Sequence, residues 1–192
     1  VPDKTYVLYA ETKKIQLASG ERIEAWTFNG QAPGPELAAD EGDLVEVQLV
    51  NKNITSGVTL HWHGVDVPNG EDGVAGMTQD AVMPGETYTY RFVVEETGTH
   101  WYHSHQQSST QVQKGLFGSF IIRPASQHET KTIDTTIVAH DWITPDGRSI
   151  PALDTDDAFL GKRVDPGLPV RLRLVNAGNL TRTFSLNGVP FK

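Results

Sequence analysis

Cysteine is absent from the 192 residues of this chain, and methionine occurs only twice. The absence of cysteine excludes disulfide bonds and thiolate zinc sites. It also excludes an electron-transfer blue copper site built from these residues alone, because such a site requires a cysteine thiolate ligand. With only two methionines, the sequence shows no methionine-rich site for cuprous ions.

Long apolar runs and basic clusters are missing as well. Runs such as Phe120-Ile121-Ile122 are far too short to cross a bilayer, so we expect no membrane span. The net charge is -8 and no cluster of lysine and arginine offsets it, which argues against a nucleic-acid partner. Hydrophobic residues make up 38% of the chain, as in ordinary soluble globular proteins, so a folded core is expected.

Short alternating segments make up much of the chain. Residues 44–50 and 87–94 alternate apolar and polar side chains, as half-buried strands do. Turn-forming pairs such as Asn69-Gly70 and Pro84-Gly85 separate the segments. Such spacing of strands and turns predicts an all-β sandwich or barrel. Further strands are predicted at residues 58–63, 98–103, 118–122, 134–140 and 170–175, and a short helix at residues 108–114.

A shift to polar composition at residues 124–131 predicts a domain boundary. We therefore expect a first domain over residues 1–125 and a second over residues 126–192. Only about 60 residues follow the boundary, fewer than the roughly 100 of a β-sandwich, so the second domain is expected to be incomplete. An incomplete sandwich would expose strand edges and an apolar face. We expect the chain to need further polypeptide, a partner copy or exchanged strands for stability.

Five of the seven histidines lie between residues 61 and 105. They include two His-x-His pairs, His61-Trp62-His63 and His103-Ser104-His105. Residues i and i+2 of a strand share a face roughly 6.5–7 Å apart, so each pair would present two imidazoles side by side. This spacing suits two neighbouring metals better than one tetrahedral ion, and imidazole suits copper, zinc, iron and nickel. The alternative is a pair of surface histidine clusters without function.

The two histidine motifs resemble the N-terminal copper motifs of laccase-like multicopper oxidases. The first motif is His61-Trp62-His63-Gly64, and the second is Gly-Thr-His-Trp-Tyr-His-Ser-His at residues 98–105. The resemblance covers roughly residues 20–125 and continues weakly through Asp141-Trp142 and residues 171–176. It implies a cupredoxin-like Greek-key β-sandwich over residues 1–125 and a partial second cupredoxin domain over residues 126–192. The other segments that carry it are residues 26–35, 42–51, 72–73, 84–86 and 115–118.

The resemblance implies copper roles for four histidines. His61 would bind the type 2 copper, His63 and His103 would share one copper of the type 3 pair, and His105 would bind the other. The trinuclear centre of this family needs eight histidines. The other four, and the type 1 copper with its cysteine, would come from the remaining C-terminal cupredoxin domain or domains, or from another copy of the chain.

Asp72 falls where the family carries a carboxylate near the trinuclear centre. It could relay protons during oxygen reduction, or orient a ligand imidazole, and it is the candidate catalytic residue. A turn aspartate before Gly73 is an equally open reading. By strand alternation His100 should point away from the copper face, whereas Trp62 and Trp101 are expected to pack in the core.

The resemblance implies an oxidase that takes single electrons from phenolic or similar small reductants and reduces O2 to water. It also implies an extracellular or periplasmic location. The isolated chain is expected to be inactive, because it holds half of the histidines. A copper-binding or scaffold fragment without activity of its own is the second reading. A two-domain copper nitrite reductase is disfavoured, since the first domain of that family carries its own cysteine ligand.

Overall fold

The computed structural model describes residues 1–17, 20–125, 132–154 and 165–185. β-strands dominate these residues, and no helix among them is long and apolar enough to span a membrane. The strands are β1 (Lys4–Gln16), β2 (Arg22–Phe28), β3 (Leu37–Asp40), β4 (Leu44–Asn51), β5 (His61–His63), β6 (Thr87–Val93), β7 (Gly98–His103), β8 (Phe117–Arg123), β9 (Ile133–Ile143), β10 (Ser149–Leu153) and β11 (Val170–Asn176). A 3-10 turn covers Asn69–Glu71, and helix α1 covers Ser108–Gln113.

Two four-stranded sheets form a β-sandwich. Their strand orders are β2-β1-β4-β6 and β3-β8-β7-β5. The pairs β1–β4 and β3–β8 are parallel, and the other neighbours in these two sheets are antiparallel. Strands that are distant in the chain thus become neighbours, as in a Greek key. The all-β Greek-key sandwich predicted from the sequence is confirmed.

The core lies between these two sheets, and Trp62 is at its centre. The indole of Trp62 is 1% exposed, and its ring centroid lies 4.8 Å from that of Phe92 and 5.5 Å from that of Tyr90. Burial of one such aromatic side chain contributes about 1.5–3 kcal/mol. Because side chains alternate along a strand, Trp62 in the core turns its neighbours His61 and His63 to the opposite face of β5.

A third sheet packs against the sandwich. Its strand order is β10-β9-β11, and its three strands belong to the predicted second domain. Trp142 of β9 enters an apolar cluster of the first sandwich, and Val138 and Val175 pack beside Phe117. Residues 126–131, at the predicted domain boundary, lie outside the described residues. The division into domains 1–125 and 126–192 therefore stays a prediction.

The strands predicted at residues 44–50, 87–94, 98–103, 118–122, 134–140 and 170–175 are present, and the predicted helix is α1. The strand predicted at residues 58–63 is shorter, since only His61–His63 pairs as a strand and Val58 forms an isolated bridge with Val82. Strands β1, β2, β3 and β10 were not predicted. In β1 the run of lysines, glutamate and threonines obscures the apolar alternation.

Asn51 ties the end of β4 to two neighbouring segments. Its side chain is fully buried, and its Nδ2 donates to the carbonyl oxygens of Ile54 and Val82 at 2.9 and 2.8 Å. Its Oδ1 accepts a hydrogen bond from the backbone N–H of Ile54 at 2.8 Å. The Asn51→Ala variant should lose about 3 kcal/mol of stability, because three buried backbone groups each lose a hydrogen bond. The urea midpoint of the protein measures this loss.

Asn53→Ala is the matched control. Asn53 is exposed, and its side chain bonds only to Thr12 among the contacts described. We expect this variant to lose about 0.5 kcal/mol or less, as for a surface substitution. Equal losses in the two variants would show that burial of Asn51 does not set its contribution.

Candidate metal centre

The candidate centre forms on the outer face of β5 and β7. These strands are antiparallel neighbours, with His61 paired to His103 and His63 paired to Trp101. Paired residues of an antiparallel ladder project to the same face, so three imidazoles and one indole converge. The residue between them on β7, Tyr102, is fully buried on the core side.

His105 lies beyond the end of β7, which terminates at His103. The prediction that both His-x-His pairs lie on strands is therefore right for His61 and His63 and wrong for the second pair. Even so, ring centroids in each pair are 6.0 Å apart. The ring of His105 lies closer to that of His61, at 5.2 Å, so all four imidazoles surround one space.

The imidazole nitrogens of His61, His63 and His103 lie close enough to hold a metal. One nitrogen from each ring lies within 4.8 Å of the others. The Nδ1 atom of His63 lies 3.4 Å from Nε2 of His103. The Nδ1 of His103 contacts the carbonyl oxygen of Ser104 at 3.0 Å, and Nδ1 of His61 contacts that of Asp72 at 2.9 Å. Donation from these Nδ1–H groups leaves each Nε2 lone pair available as a ligand.

Burial favours the neutral form of two of these imidazoles, those of His103 and His63. It lowers the pKa of His103 to about 4, with smaller contributions from the neighbouring His61, His63 and His105 rings. Burial also lowers the pKa of His63, again with help from His61 and His105. A metal binds the neutral imidazole, so His63 and His103 are held in the ligand form at neutral pH. The donor set therefore fits a cation such as copper.

A cavity of about 350 Å³ adjoins the histidines. One wall consists of the four imidazoles and Trp101, and the other contains Ser108, Ser109 and residues 176–179, which begin at the last residue of β11. The indole of Trp101 lies against two imidazoles, with centroids 4.8 Å from His63 and 4.4 Å from His103. The prediction that Trp101 packs in the sandwich core is wrong, because it shares strand parity with His103. Trp62 lies in the core, as predicted.

Asp72 lies beside His61 at the end of the 3-10 turn. Its carboxylate Oδ1 is 3.2 Å from Nδ1 of His61, and its side chain is 35% exposed. The turn lies close to the chain before β5. A Cβ on Gly73 would stand 1.7 Å from the carbonyl oxygen of Leu60, and Gly73 also has a φ of +69°. Asp72 thus has both properties considered from the sequence, a place before a required glycine and contact with a candidate ligand.

The structure places His100 away from the cavity wall. Its Nε2 contacts the carbonyl oxygen of Glu96 at 2.9 Å, and it is not among the residues that line the cavity. The sequence reasoning missed the loop at residues 176–179, because nothing in its composition marks it as a neighbour of the histidines. The sequence did contain a signal for Trp101. It lies two residues before His103, so strand alternation puts both side chains on the same face.

A sandwich with a cluster of imidazoles at the end of one sheet is the arrangement expected of a metal-binding cupredoxin. The chain belongs to the multicopper oxidase family. The family model described as multicopper oxidase matches residues 9–127, more than half of the chain. Membership implies copper as the metal.

Curated relatives include several kinds of copper protein. An L-ascorbate oxidase of Cucumis sativus is 48% identical over 100 residues, which are 50% of this chain and 16% of that protein. Laccase 1 of Metarhizium acridum is 43% identical over 108 residues, covering 55% of this chain and 17% of the relative. Copper resistance protein A of Escherichia coli is 36% identical over 134 residues, covering 69% and 22%. The chain thus spans about a fifth or less of these relatives' length.

Solved structures show the same fold. The blue copper oxidase from Nitrosomonas europaea has a TM-score of 0.82 and 31% identity, covering 92% of this chain and 61% of that one. A multi-copper oxidase from Pseudomonas thermotolerans has a TM-score of 0.79 and 27% identity, covering 94% and 48%. A copper nitrite reductase from Nitrosomonas europaea, at 24% identity and a TM-score of 0.75, shares the fold alone. These likenesses confirm the cupredoxin-like fold.

The lowered pKa of His103 makes the stability of the metal-free protein depend on pH. Its folded-state pKa is about 4 against an ordinary 6.5, so the unfolded chain binds the proton more tightly. Stability is therefore unaffected by this group above pH 6.5 and falls as the pH drops toward 4. The loss should reach about 3 kcal/mol. Urea unfolding of metal-free protein between pH 7 and pH 4 measures it.

The His103→Gln variant should have a flatter pH dependence over this range. His100→Gln is the control, because His100 lies outside the cluster, and it should keep the wild-type slope. An identical slope in wild type and His103→Gln would refute a neutral, buried His103.

Proposed function

We propose that the protein is a laccase-like multicopper oxidase, and that this chain supplies four of the eight histidines of a trinuclear copper centre. One observation carries the proposal: nitrogens of His61, His63 and His103 lie within 4.8 Å of one another on one face. Such convergence distinguishes a built site from two unrelated surface clusters. The family supplies copper as the ion, and imidazole donors suit it.

The contacts favour a particular assignment of ligands. Nδ1 of His63 and Nε2 of His103 lie 3.4 Å apart and would share one copper of the type 3 pair. His61 uses Nδ1 toward Asp72, which leaves Nε2 for the type 2 copper. His105, whose ring is 5.2 Å from that of His61, would bind the other type 3 copper. Bound copper would supply the one-electron chemistry by which O2 is reduced to water.

The protein groups around the proposed ligands orient them. Trp101 restricts the rings of His63 and His103 by stacking on them. The carbonyl oxygen of Ser104 selects the His103 tautomer with a free Nε2. Each ring thus needs little reorganisation when it binds a metal.

Asp72 is the proposed proton-transfer residue. Reduction of O2 to water consumes protons, and a carboxylate that contacts both a ligand and solvent can carry them inward. The Oδ1 of Asp72 is 3.2 Å from His61, and a third of its side chain is open to solvent. The same contact also orients the imidazole of His61. Asp72 would therefore serve both as a proton relay and as a group that orients a ligand.

The rest of the centre must come from other polypeptide. The other four histidines and the type 1 copper would lie in the remaining C-terminal cupredoxin domain or domains, or in another copy of the chain. This agrees with the fraction of its relatives that the chain spans. We propose small phenolic or similar reductants as electron donors and an extracellular or periplasmic location. We also propose a domain division at residues 125–126 and an inactive isolated chain.

A copper-binding protein without oxidase activity is the second candidate. It is favoured by the absence of cysteine, which removes any type 1 site from these residues. Copper analysis and oxygen consumption of the intact protein separate the two candidates. Copper uptake without oxygen reduction would support the second.

Replacing His103 should abolish oxygen reduction in the intact protein. The His103→Ala variant would lose a ligand of the type 3 pair, whereas the type 1 copper would lie outside this chain, which has no cysteine. We expect oxygen consumption with a phenolic donor to fall to background while the blue type 1 absorption persists. His100→Ala, a nearby histidine outside the cavity, should stay active. Full activity of His103→Ala would refute the assignment.

Replacing Asp72 tests the proton-transfer role. The Asp72→Asn variant keeps an oxygen near His61 but cannot carry a proton as a carboxylate does. We expect the turnover rate to fall about 10- to 100-fold, most steeply at high pH, with the copper content unchanged. Glu71→Gln changes the adjacent carboxylate and should retain activity. Wild-type turnover in Asp72→Asn at every pH would exclude the role.

A further inference from the structure

The hydrogen-bond ladder between β5 and β7 stops at the pair His61–His103. Two residues further along each chain, Thr59 and His105 would be paired in the same register. Their backbone N–H groups instead bond to side-chain hydroxyls. The N–H of His105 donates to Oγ1 of Thr59 at 3.1 Å, and the N–H of Thr59 donates to Oγ of Ser104 at 3.2 Å.

Gln111 of helix α1 completes this network. The hydroxyl of Ser104 donates to Oε1 of Gln111. The Nε2 of Gln111 donates to the carbonyl oxygen of Gly57 at 2.9 Å and to Oγ of Ser56 at 3.2 Å. Both the oxygen and the nitrogen of the amide therefore have hydrogen-bond partners, which fixes the orientation of the side chain. We call Thr59, Ser104 and Gln111 the hydroxyl clamp.

The hydroxyl clamp is completely shielded from water. Its three residues are each 0% exposed. In such surroundings hydrogen bonds hold their geometry well, and a lost partner is costly because water cannot replace it. The clamp joins three separate segments: the chain before β5, the chain after β7 and helix α1. None of its side chains is a candidate metal ligand.

We propose that the hydroxyl clamp is a positioning device for His105. The inference rests on the proposed function. Hydrogen bonds between backbone N–H and carbonyl groups would have continued the strand. Here the backbone N–H groups donate to side-chain hydroxyls instead, at the point where the chain leaves strand geometry. His105 then lies with its ring 5.2 Å from that of His61 and 6.0 Å from that of His103. Without the Thr59 hydroxyl, the N–H of His105 loses its acceptor and the segment shifts.

The test uses the copper-loaded intact protein with Thr59→Val, which keeps the shape of the side chain and removes the hydroxyl. We expect the dissociation constant for copper, measured by competition with a chelator, to rise about 10- to 100-fold. The electron paramagnetic resonance spectrum of the bound copper should also change. Thr59→Ser restores the hydroxyl and should return both quantities toward wild type.

Thr27→Val is the matched control for general destabilisation. Thr27 is also 0% exposed, and its hydroxyl donates to the carbonyl oxygen of Glu11 at 3.0 Å, in the other sheet. This variant should keep the copper affinity and the spectrum. Wild-type affinity and spectrum in Thr59→Val, or equal changes in both variants, would overturn the positioning role alone. Intact wild type that binds no copper would instead overturn the proposed function, and the positioning role with it.

Discussion

Burial of Trp62 between the two sheets is the constraint on which the histidine cluster depends. The indole is surrounded by Phe92, Tyr90, Tyr102 and Phe120 rings, so β5 cannot rotate or shift by one residue without exposing it. His61 and His63 are held on the outer face as a result. The ladder to β7 then brings His103 opposite His61. The core packing of one residue thereby sets the spacing of three imidazoles.

The clustering of imidazoles costs the metal-free protein free energy of folding, and a bound metal would offset this cost. Several neutral imidazoles in a partly dry space cannot all be protonated, and burial with mutual repulsion lowers the pKa values of His63 and His103. The Nδ1 atom of His63 lies 3.4 Å from Nε2 of His103. A cation placed there offsets this repulsion, so metal binding and folding are expected to be coupled. The geometry that disfavours protons is the geometry that favours copper.

Strand alternation made part of this site predictable. The positions of His61, His63, His103 and Trp62 follow from period-two parity, which is a local property of sequence. Strand β1 escaped prediction, because its polar residues hide the alternation and its identity as a strand depends on pairing with β2 and β4. Gln111 could not be foreseen as part of the site, since its amide meets residues more than 50 positions away. Contacts of that kind depend on the finished fold.

The third sheet is coupled to the site through strand β7. Arg173 of β11, whose side chain is only 10% exposed, donates through two nitrogens to the Asp134 carboxylate at 2.7 Å. A third nitrogen donates to Oγ1 of Thr99 at 2.9 Å, four residues before His103. The loop that follows β11 forms a wall of the histidine cavity. Because one largely buried guanidinium joins β9, β11 and β7, we expect packing of the third sheet to influence the shape of that cavity.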